Sequence, residues 1–138
     1  MALLIDSGFL YATVDQSDRN HERVIELLPT LSGEIMILPV PALVETAYLL
    51  QGRLGHKEMR QFLARLINGP IQFETIIKDD LSRIHELLEK YGDAQLDFVD
   101  ASITALAERL NIQTILTVDQ RDFRIIRPSH CTHFEILP

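Results

Sequence analysis

The chain begins MALLIDSGFL (residues 1–10), and the apolar run Ala2–Asp6 within this stretch decides the fold. The run is short, uniformly apolar and closed by an acid, which is typical of a strand buried on both faces of a sheet. Two later runs, Ile35–Leu38 and Thr114–Val118, have the same apolar character. Because strands buried on both faces belong mainly to parallel sheets covered by helices, these runs indicate an α/β protein.

Helical patterns fill the segments between the strands. The predicted helices are Asp18–Leu28, Ala42–Leu50 with Pro41 as the first helical residue, His56–Ile67, Asp79–Lys90 and Phe98–Leu110. Two further strands are predicted, at Ile71–Ile77 and Phe134–Leu137. This alternation predicts an α/β sandwich around a mainly parallel sheet, with helices on both faces.

The length and composition indicate one domain, residues 1–138. Apolar residues make up 46% and charged residues 24%, which excludes disordered and low-complexity proteins. The single cysteine, Cys131, has no internal disulfide partner, so we expect a cytoplasmic protein. Residues 35–44, the longest uncharged run, are too few to cross a bilayer, so no membrane partner is expected. The net charge of −7 disfavours a polyanionic partner unless a metal ion or a local basic patch reverses the sign.

Several carboxylates stand where burial makes a lone charge costly. Asp6 and Asp119 each follow an apolar strand, at the end of the sheet where parallel α/β proteins form their sites. Glu45 interrupts an apolar helical run, PALVETAYLL. Asp97 and Asp100 open the helix that ends at Leu110.

Each of these acids lies in a stretch of sequence that contains no lysine or arginine. The cation-free stretches are residues 1–18, 24–52, 91–108 and 110–120, and together they contain every acid named above. A shared divalent metal ion is the economical way to balance such a group, although cations distant in sequence remain an alternative. Oxygen ligands without a Cys/His cluster favour Mg²⁺ or Mn²⁺ over zinc.

Most of the acids also have a local interpretation. Asp6 and Asp119 are each suited to capping the turn or helix that follows, and Asp97 has the position of an N-cap. Asp100, in the first turn of its helix, complements the helix dipole. Glu45 has no capping role because it lies in the middle of a helix.

Longer motifs extend this pattern along nearly the whole chain. They are LLIDSGFLYA (3–12), PVPALVETAYLL (39–50), YGDAQLDFVDASITALAERL (91–110), TILTVDQRDFRIIRP (114–128) and FEILP (134–138). With these motifs the chain resembles the PIN-domain nucleases, and in particular the VapC-type toxins of bacterial toxin–antitoxin pairs. The resemblance implies a PIN-like three-layer α/β/α sandwich with a mainly parallel central sheet.

The resemblance also implies an activity, a site and partners. It implies an endoribonuclease that uses Mg²⁺, with Mn²⁺ as a substitute, to activate water for cleavage of RNA phosphodiester bonds. The implied catalytic and metal-binding acids are Asp6, Glu45, Asp100 and Asp119, with Asp93, Asp97 and Asp122 as candidate additional acids and Ser7 and Thr117 as supporting hydroxyls. The implied partners are RNA, a cognate antitoxin and a second copy of the chain.

Two cationic stretches are candidates for contact with RNA phosphates. Arg121, Arg124 and Arg127 follow Asp119 at three-residue spacing. The second stretch comprises Arg53, Lys57, Arg60 and Arg65. For both stretches, a solvated surface is the competing interpretation.

Two other functions compete with a toxin. One is a PIN-domain nuclease of RNA processing, which an adjacent antitoxin gene would argue against. The other is a receiver-like signalling domain, which also gathers acids at strand ends and binds Mg²⁺. A receiver requires a lysine at the end of a late strand, and no lysine follows Lys90.

Overall fold

The computed structural model describes all 138 residues as one five-stranded sheet between two layers of helices. The strands are β1 (Ala2–Ile5), β2 (Ile35–Pro39), β3 (Gln72–Glu74), β4 (Thr114–Leu116) and β5 (Glu135–Leu137). The helices are α1 (Ser7–Val14), α2 (His21–Leu27), α3 (Val40–Leu54), α4 (His56–Asn68), α5 (Lys78–Lys90), α6 (Phe98–Leu110) and α7 (Arg121–Ile125), and short 3₁₀ turns cover Leu28–Leu31 and Gly92–Ala94.

The sheet has the order β3-β2-β1-β4-β5, and every pairing in it is parallel. The chain builds outward from β1 to β3 on one side and then crosses to β4 on the other side. The point between β1 and β4 is therefore the topological switch point, where open α/β sheets form a crevice at the carboxyl ends of their strands. The predicted α/β/α sandwich with a mainly parallel sheet is confirmed.

Two hydrophobic cores hold the layers together, one on each face of the sheet. Leu3 and Ile5 of β1 point into the core beneath α1 to α4, whereas Leu4 points into the core beneath α5 to α7. The alternation of side chains along a strand explains this division. The site at the end of β1 thus rests on both cores.

The sequence pattern missed two helices and overestimated some strands. Helix α1 follows Asp6 directly and was not predicted, because apolar residues lie all around it and most of them are buried. Helix α7 has only five residues, too few for a periodic pattern. The predicted strands Ile71–Ile77 and Thr114–Val118 pair only over Gln72–Glu74 and Thr114–Leu116.

Two of the remaining helices differ by several residues from their predicted bounds. Helix α2 begins at His21 rather than Asp18. Helix α3 starts at Val40, one residue before the predicted first residue Pro41, and it ends at Leu54 rather than Leu50. Pro41 still stands in the first turn, where a missing N–H costs no helical hydrogen bond. No helix in the structure has the length and apolar character needed to cross a membrane.

Candidate active site at the switch point

Asp6 lies at the switch point, directly after the last residue of β1. Its backbone N–H continues the β1–β4 pairing by donating to the Leu116 carbonyl at 2.9 Å. Its carboxylate is buried and accepts hydrogen bonds from the Ser7 N–H at 2.7 Å and from the Thr117 hydroxyl at 2.8 Å. The Asp6 carboxylate is therefore held both by the residue that follows it and by Thr117, which follows β4.

Glu45 reaches the same place from the second turn of α3, which packs against α1. The Ser7 hydroxyl donates a hydrogen bond to Glu45 Oε1, so that one short side chain links the ends of β1 and α3. Ser7 itself is buried. Glu45 caps no helix end, and its carboxylate faces the neighbouring acids.

Asp97 and Asp100 approach from the start of α6. Asp97 is the N-cap of this helix, and its Oδ1 accepts a hydrogen bond from the Asp100 N–H at 2.8 Å. The capping interpretation of Asp97 is therefore confirmed. Asp100 is buried in the first turn and projects toward the same cleft. The cap thus fixes the backbone from which the Asp100 carboxylate extends.

Asp119 is exposed at the rim of the cleft, beyond the end of β4. Its N–H donates to the Thr117 hydroxyl at 3.2 Å, but its carboxylate caps no helix, because α7 begins after Gln120 without a side-chain hydrogen bond. Asp122, in the first turn of α7, lies beside the Asp100 carboxyl. Asp93 is exposed on a 3₁₀ turn and does not line the cleft.

Together these side chains line a concavity of about 350 Å³, which we call the acid cleft. Its acidic lining residues are Asp6, Asp18, Glu45, Asp97, Asp100 and Asp119, and the remainder are Ser7, Gly8, Tyr11, Leu49, Arg53 and Val118. The sequence did not indicate Asp18 as a lining residue. The pattern predicted Asp18 as the start of a helix, whereas it lies in the loop before α2. The sequence indicated Arg53 only as one of four cations, although four-residue spacing from Glu45 through Leu49 is a signal for its position.

Gly8 allows α1 to approach the end of β4 closely. A Cβ atom at this position would lie 3.0 Å from Val118 Cγ2, so a larger residue would press against the segment that carries Asp119. Because Gly8 has no side chain, α1 can lie close to the segment after β4 that carries Asp119.

Burial and mutual repulsion dominate the electrostatics of the acid cleft. Burial raises the pKa of Asp6 to about 6, although Thr117 and Ser7 donate hydrogen bonds that lower it. Burial also raises the pKa of Asp100 well above its usual range, and the nearby charges of Asp6 and Asp97 add to this effect. Without a bound cation, the site therefore favours protons on its buried acids.

The donor set suits a hard divalent cation, because carboxylate and hydroxyl oxygens are the ligands that Mg²⁺ and Mn²⁺ prefer. The carboxylates do not form a closed coordination sphere: no group of three or more Asp, Glu, His or Cys side chains is arranged to hold a metal ion. Mg²⁺ usually keeps several water molecules and binds through one or two carboxylates, so a closed protein cage is not required. The residues present fit such an ion.

Of the three arginines after Asp119, two lie in a concavity separate from the acid cleft. Arg124 donates to the Gln120 side chain at 2.5 Å, and Arg127 donates to the Arg124 carbonyl at 2.8 Å. Both line a separate concavity of about 480 Å³ and are absent from the acid cleft. Arg121 is exposed at the start of α7.

The PIN domain family model matches residues 3–127. The chain belongs to the PIN-domain family. Over 136 residues it is 26% identical to Ribonuclease VapC26 of Mycobacterium tuberculosis, and the alignment covers 99% of this chain and 100% of that protein. The family assignment excludes the receiver-like alternative.

Solved structures of PIN-domain relatives share this fold. The Mycobacterium tuberculosis VapC20, a sarcin-ricin loop cleaving toxin, has a TM-score of 0.79 at 22% identity over 86% of this chain and 90% of that one. Rickettsia felis VapBC2, bound to a DNA fragment from its promoter, has a TM-score of 0.72 at 13% identity over 99% and 97%. The resemblance to PIN-domain proteins of the VapC type is confirmed.

Replacing Asp100 with asparagine is expected to stabilise the metal-free protein. The folded-state pKa of Asp100 lies above that of an exposed aspartate, about 4, so stability is lost as the pH rises through the folded-state pKa. At pH 8 in EDTA, Asp100→Asn should raise the free energy of unfolding by at least about 1 kcal/mol, the equivalent of one pKa unit. Urea titrations at pH 5 and pH 8 measure this difference, which should shrink at the lower pH. The exposed Asp93→Asn serves as control, and equal stability of Asp100→Asn and wild type at pH 8 would contradict the expectation.

Proposed function

We propose that this chain is a VapC-like endoribonuclease toxin of a toxin–antitoxin pair, a metal-dependent hydrolase acting on RNA phosphodiester bonds. The observation that carries the proposal is the convergence of Asp6, Glu45, Asp100 and Asp119 on one cleft at the switch point of a PIN fold. These acids come from the ends of β1 and β4 and from helices α3 and α6. A set of carboxylates with no catalytic histidine or cysteine among them suits hydrolysis assisted by a cation.

In the proposed mechanism, Asp6, Glu45, Asp100 and Asp119 are the acids from which one or two carboxylates would hold Mg²⁺, or Mn²⁺ in its place. A divalent ion held there would lower the pKa of a water molecule and neutralise charge on the phosphate. The chain itself supplies orientation: Thr117 and Ser7 hold Asp6, Ser7 holds Glu45, and the Asp97 cap holds the Asp100 backbone. These hydrogen bonds matter because a displaced carboxylate would lower both the affinity for the metal ion and the rate of cleavage.

We expect the protein to act in the cytoplasm, where its single cysteine stays reduced. The relatives named VapC26, VapC20 and VapBC2 support a toxin rather than an RNA-processing nuclease. A small adjacent reading frame whose product suppresses RNA cleavage would distinguish the toxin from a processing enzyme.

Besides its antitoxin, we propose that the chain associates with a second copy of itself. An apolar groove of about 540 Å³ borders the acid cleft, and Val44, Tyr48 and Phe98 on its rim are 48%, 74% and 47% exposed. Contiguous exposed apolar surface of this kind marks a site of protein association. We propose that a second copy of the chain covers it.

Substitution in the apolar groove should dissociate the proposed dimer. Tyr48→Glu places a charge in the interface, so the protein should sediment as a monomer at concentrations where wild type sediments as a dimer. Ile67→Glu is the matched control, because Ile67 is an 81% exposed apolar residue on α4, outside the groove. A monomeric wild type at tens of micromolar, or a dimeric Tyr48→Glu, would refute the assignment.

Cleavage itself tests the proposed function. Purified wild type should cleave RNA in Mg²⁺ or Mn²⁺ and stop when EDTA is added. Asp6→Asn should reduce the rate more than about 100-fold, since even indirect support of a metal site is worth 10–100-fold. Asp93→Asn, an equivalent change outside the acid cleft, should leave the rate unchanged. Cleavage retained by Asp6→Asn, or absent from wild type with Mn²⁺ on every RNA tested, would overturn the proposal.

Metal binding has a readout that is independent of activity. A cation that binds only the folded state stabilises it, by about 2.7 kcal/mol at a hundred times its dissociation constant. The melting temperature of wild type should therefore rise by several degrees in millimolar Mn²⁺ relative to EDTA, and the rise should be smaller for Asp6→Asn. Identical melting curves with and without Mn²⁺ would argue against a metal site in the acid cleft.

A further inference from the structure

The acid cleft contains one basic side chain, Arg53, among the twelve residues that line it. Six carboxylates share the cleft with it, and the protein as a whole carries a net charge of −7. An RNA strand brings a negative charge with every phosphate, and repulsion by this surface opposes its entry. A cation inside the cleft therefore has a larger effect on RNA binding than the same charge elsewhere on the surface.

Arg53 lies on the same face of α3 as Glu45. Glu45, Leu49 and Arg53 follow one another at four-residue spacing, and all three line the acid cleft. Eight helical residues span about 12 Å. The backbone of Arg53 therefore lies about two turns further along α3 than that of Glu45, a spacing that suits contact with a phosphate next to the one being cleaved.

Tyr11 holds the Arg53 side chain in this position. The guanidinium carbon lies 5.1 Å from the centre of the Tyr11 ring, in a cation–π contact. The ring is itself fixed, because Tyr11 is buried and its hydroxyl donates to Asp15 Oδ2 at 2.6 Å. Arg53 is therefore oriented by its contact with the Tyr11 ring.

Arg53 forms no salt bridge. None of the ion pairs in the structure includes Arg53, whereas Arg83 is paired with Glu108 and Arg109 with Asp80, so that those two arginines hold helices together. Hydrogen bonds from Ser17 and Tyr11 lower the pKa of the Asp15 carboxyl, and the charge of Arg53 adds to this effect. A guanidinium outside any salt bridge can donate two parallel hydrogen bonds to a phosphate.

We propose that Arg53, held on the Tyr11 ring, binds a backbone phosphate of the RNA strand adjacent to the cleavage position. This assignment rests on the proposed function and identifies the cation that admits a polyanion to the acid cleft. It differs from the expectation based on the sequence, in which Arg121, Arg124 and Arg127 bind RNA. Arg124 and Arg127 line another concavity and donate to neighbouring side-chain and backbone oxygens.

Binding of a short single-stranded RNA to the cleavage-deficient Asp100→Asn protein tests the assignment. Adding Arg53→Ala should raise Kd by about tenfold or more, the value of one charge-assisted hydrogen bond, and should flatten the slope of log Kd against log salt by about 0.7. Arg53→Lys should recover the salt slope but not the full affinity, because an ammonium cannot make the paired hydrogen bonds. Arg23→Ala removes an equal charge from an exposed residue on α2 and should have no such effect.

Steady-state kinetics separate binding from structural support. With Asp100 intact, Arg53→Ala should raise KM about tenfold and change kcat less than about threefold, whereas a displaced active site would lower kcat. If Arg53→Ala matches Arg23→Ala in Kd and salt slope, the assignment is wrong. It is also wrong if the loss of binding follows Arg124→Ala/Arg127→Ala instead. In both cases wild-type cleavage remains and the proposed function stands. Failure of the Asp100→Asn parent to bind RNA, together with absence of cleavage by wild type, would overturn both.

Discussion

The parallel pairing of β1 with β4 is the interaction on which the site depends. It continues one residue beyond the strands, where the Asp6 N–H donates to the Leu116 carbonyl. This bond places the Asp6 carboxylate against the Thr117 hydroxyl, and the next residues carry Asp119 to the rim. Helices α3 and α6 then need only pack on their respective faces of the sheet to bring Glu45 and Asp100 to the same cleft.

This convergence has a cost that the rest of the fold must offset. Burial raises the pKa values of the Asp6 and Asp100 carboxyls, and repulsion by the neighbouring acids adds to this effect. The two hydrophobic cores supply the opposing stability, since β1 contributes to both of them. These acids can all carry their negative charges at low cost only when a cation balances them. A bound cation would therefore stabilise the folded state through the same residues that bind it.

Charge also constrains how such a protein meets its substrate. An acidic surface cannot attract RNA over long distances, so recognition has to rest on short-range contacts inside the cleft. The structure separates its arginines accordingly: Arg83 and Arg109 are bound in ion pairs between elements, whereas Arg53 makes no salt bridge and lies against the Tyr11 ring. This division suits selective binding of a particular strand geometry better than general attraction to nucleic acid.

The sequence by itself determined the fold class and the identity of the central acids. Uniformly apolar strands are typical of a parallel sheet covered on both faces, so they predict the fold class. An acid in the middle of a helix, such as Glu45, has no capping role, so its position in the sequence already indicates a functional site. Helix α1 escaped prediction because it is apolar all around, and periodicity cannot reveal a helix that is buried on every side. Only the tertiary structure decided that Asp18 and Arg53 enter the cleft while Asp93, Arg124 and Arg127 do not. Those outcomes depend on the packing of helices against one another, which brings together residues far apart in the chain.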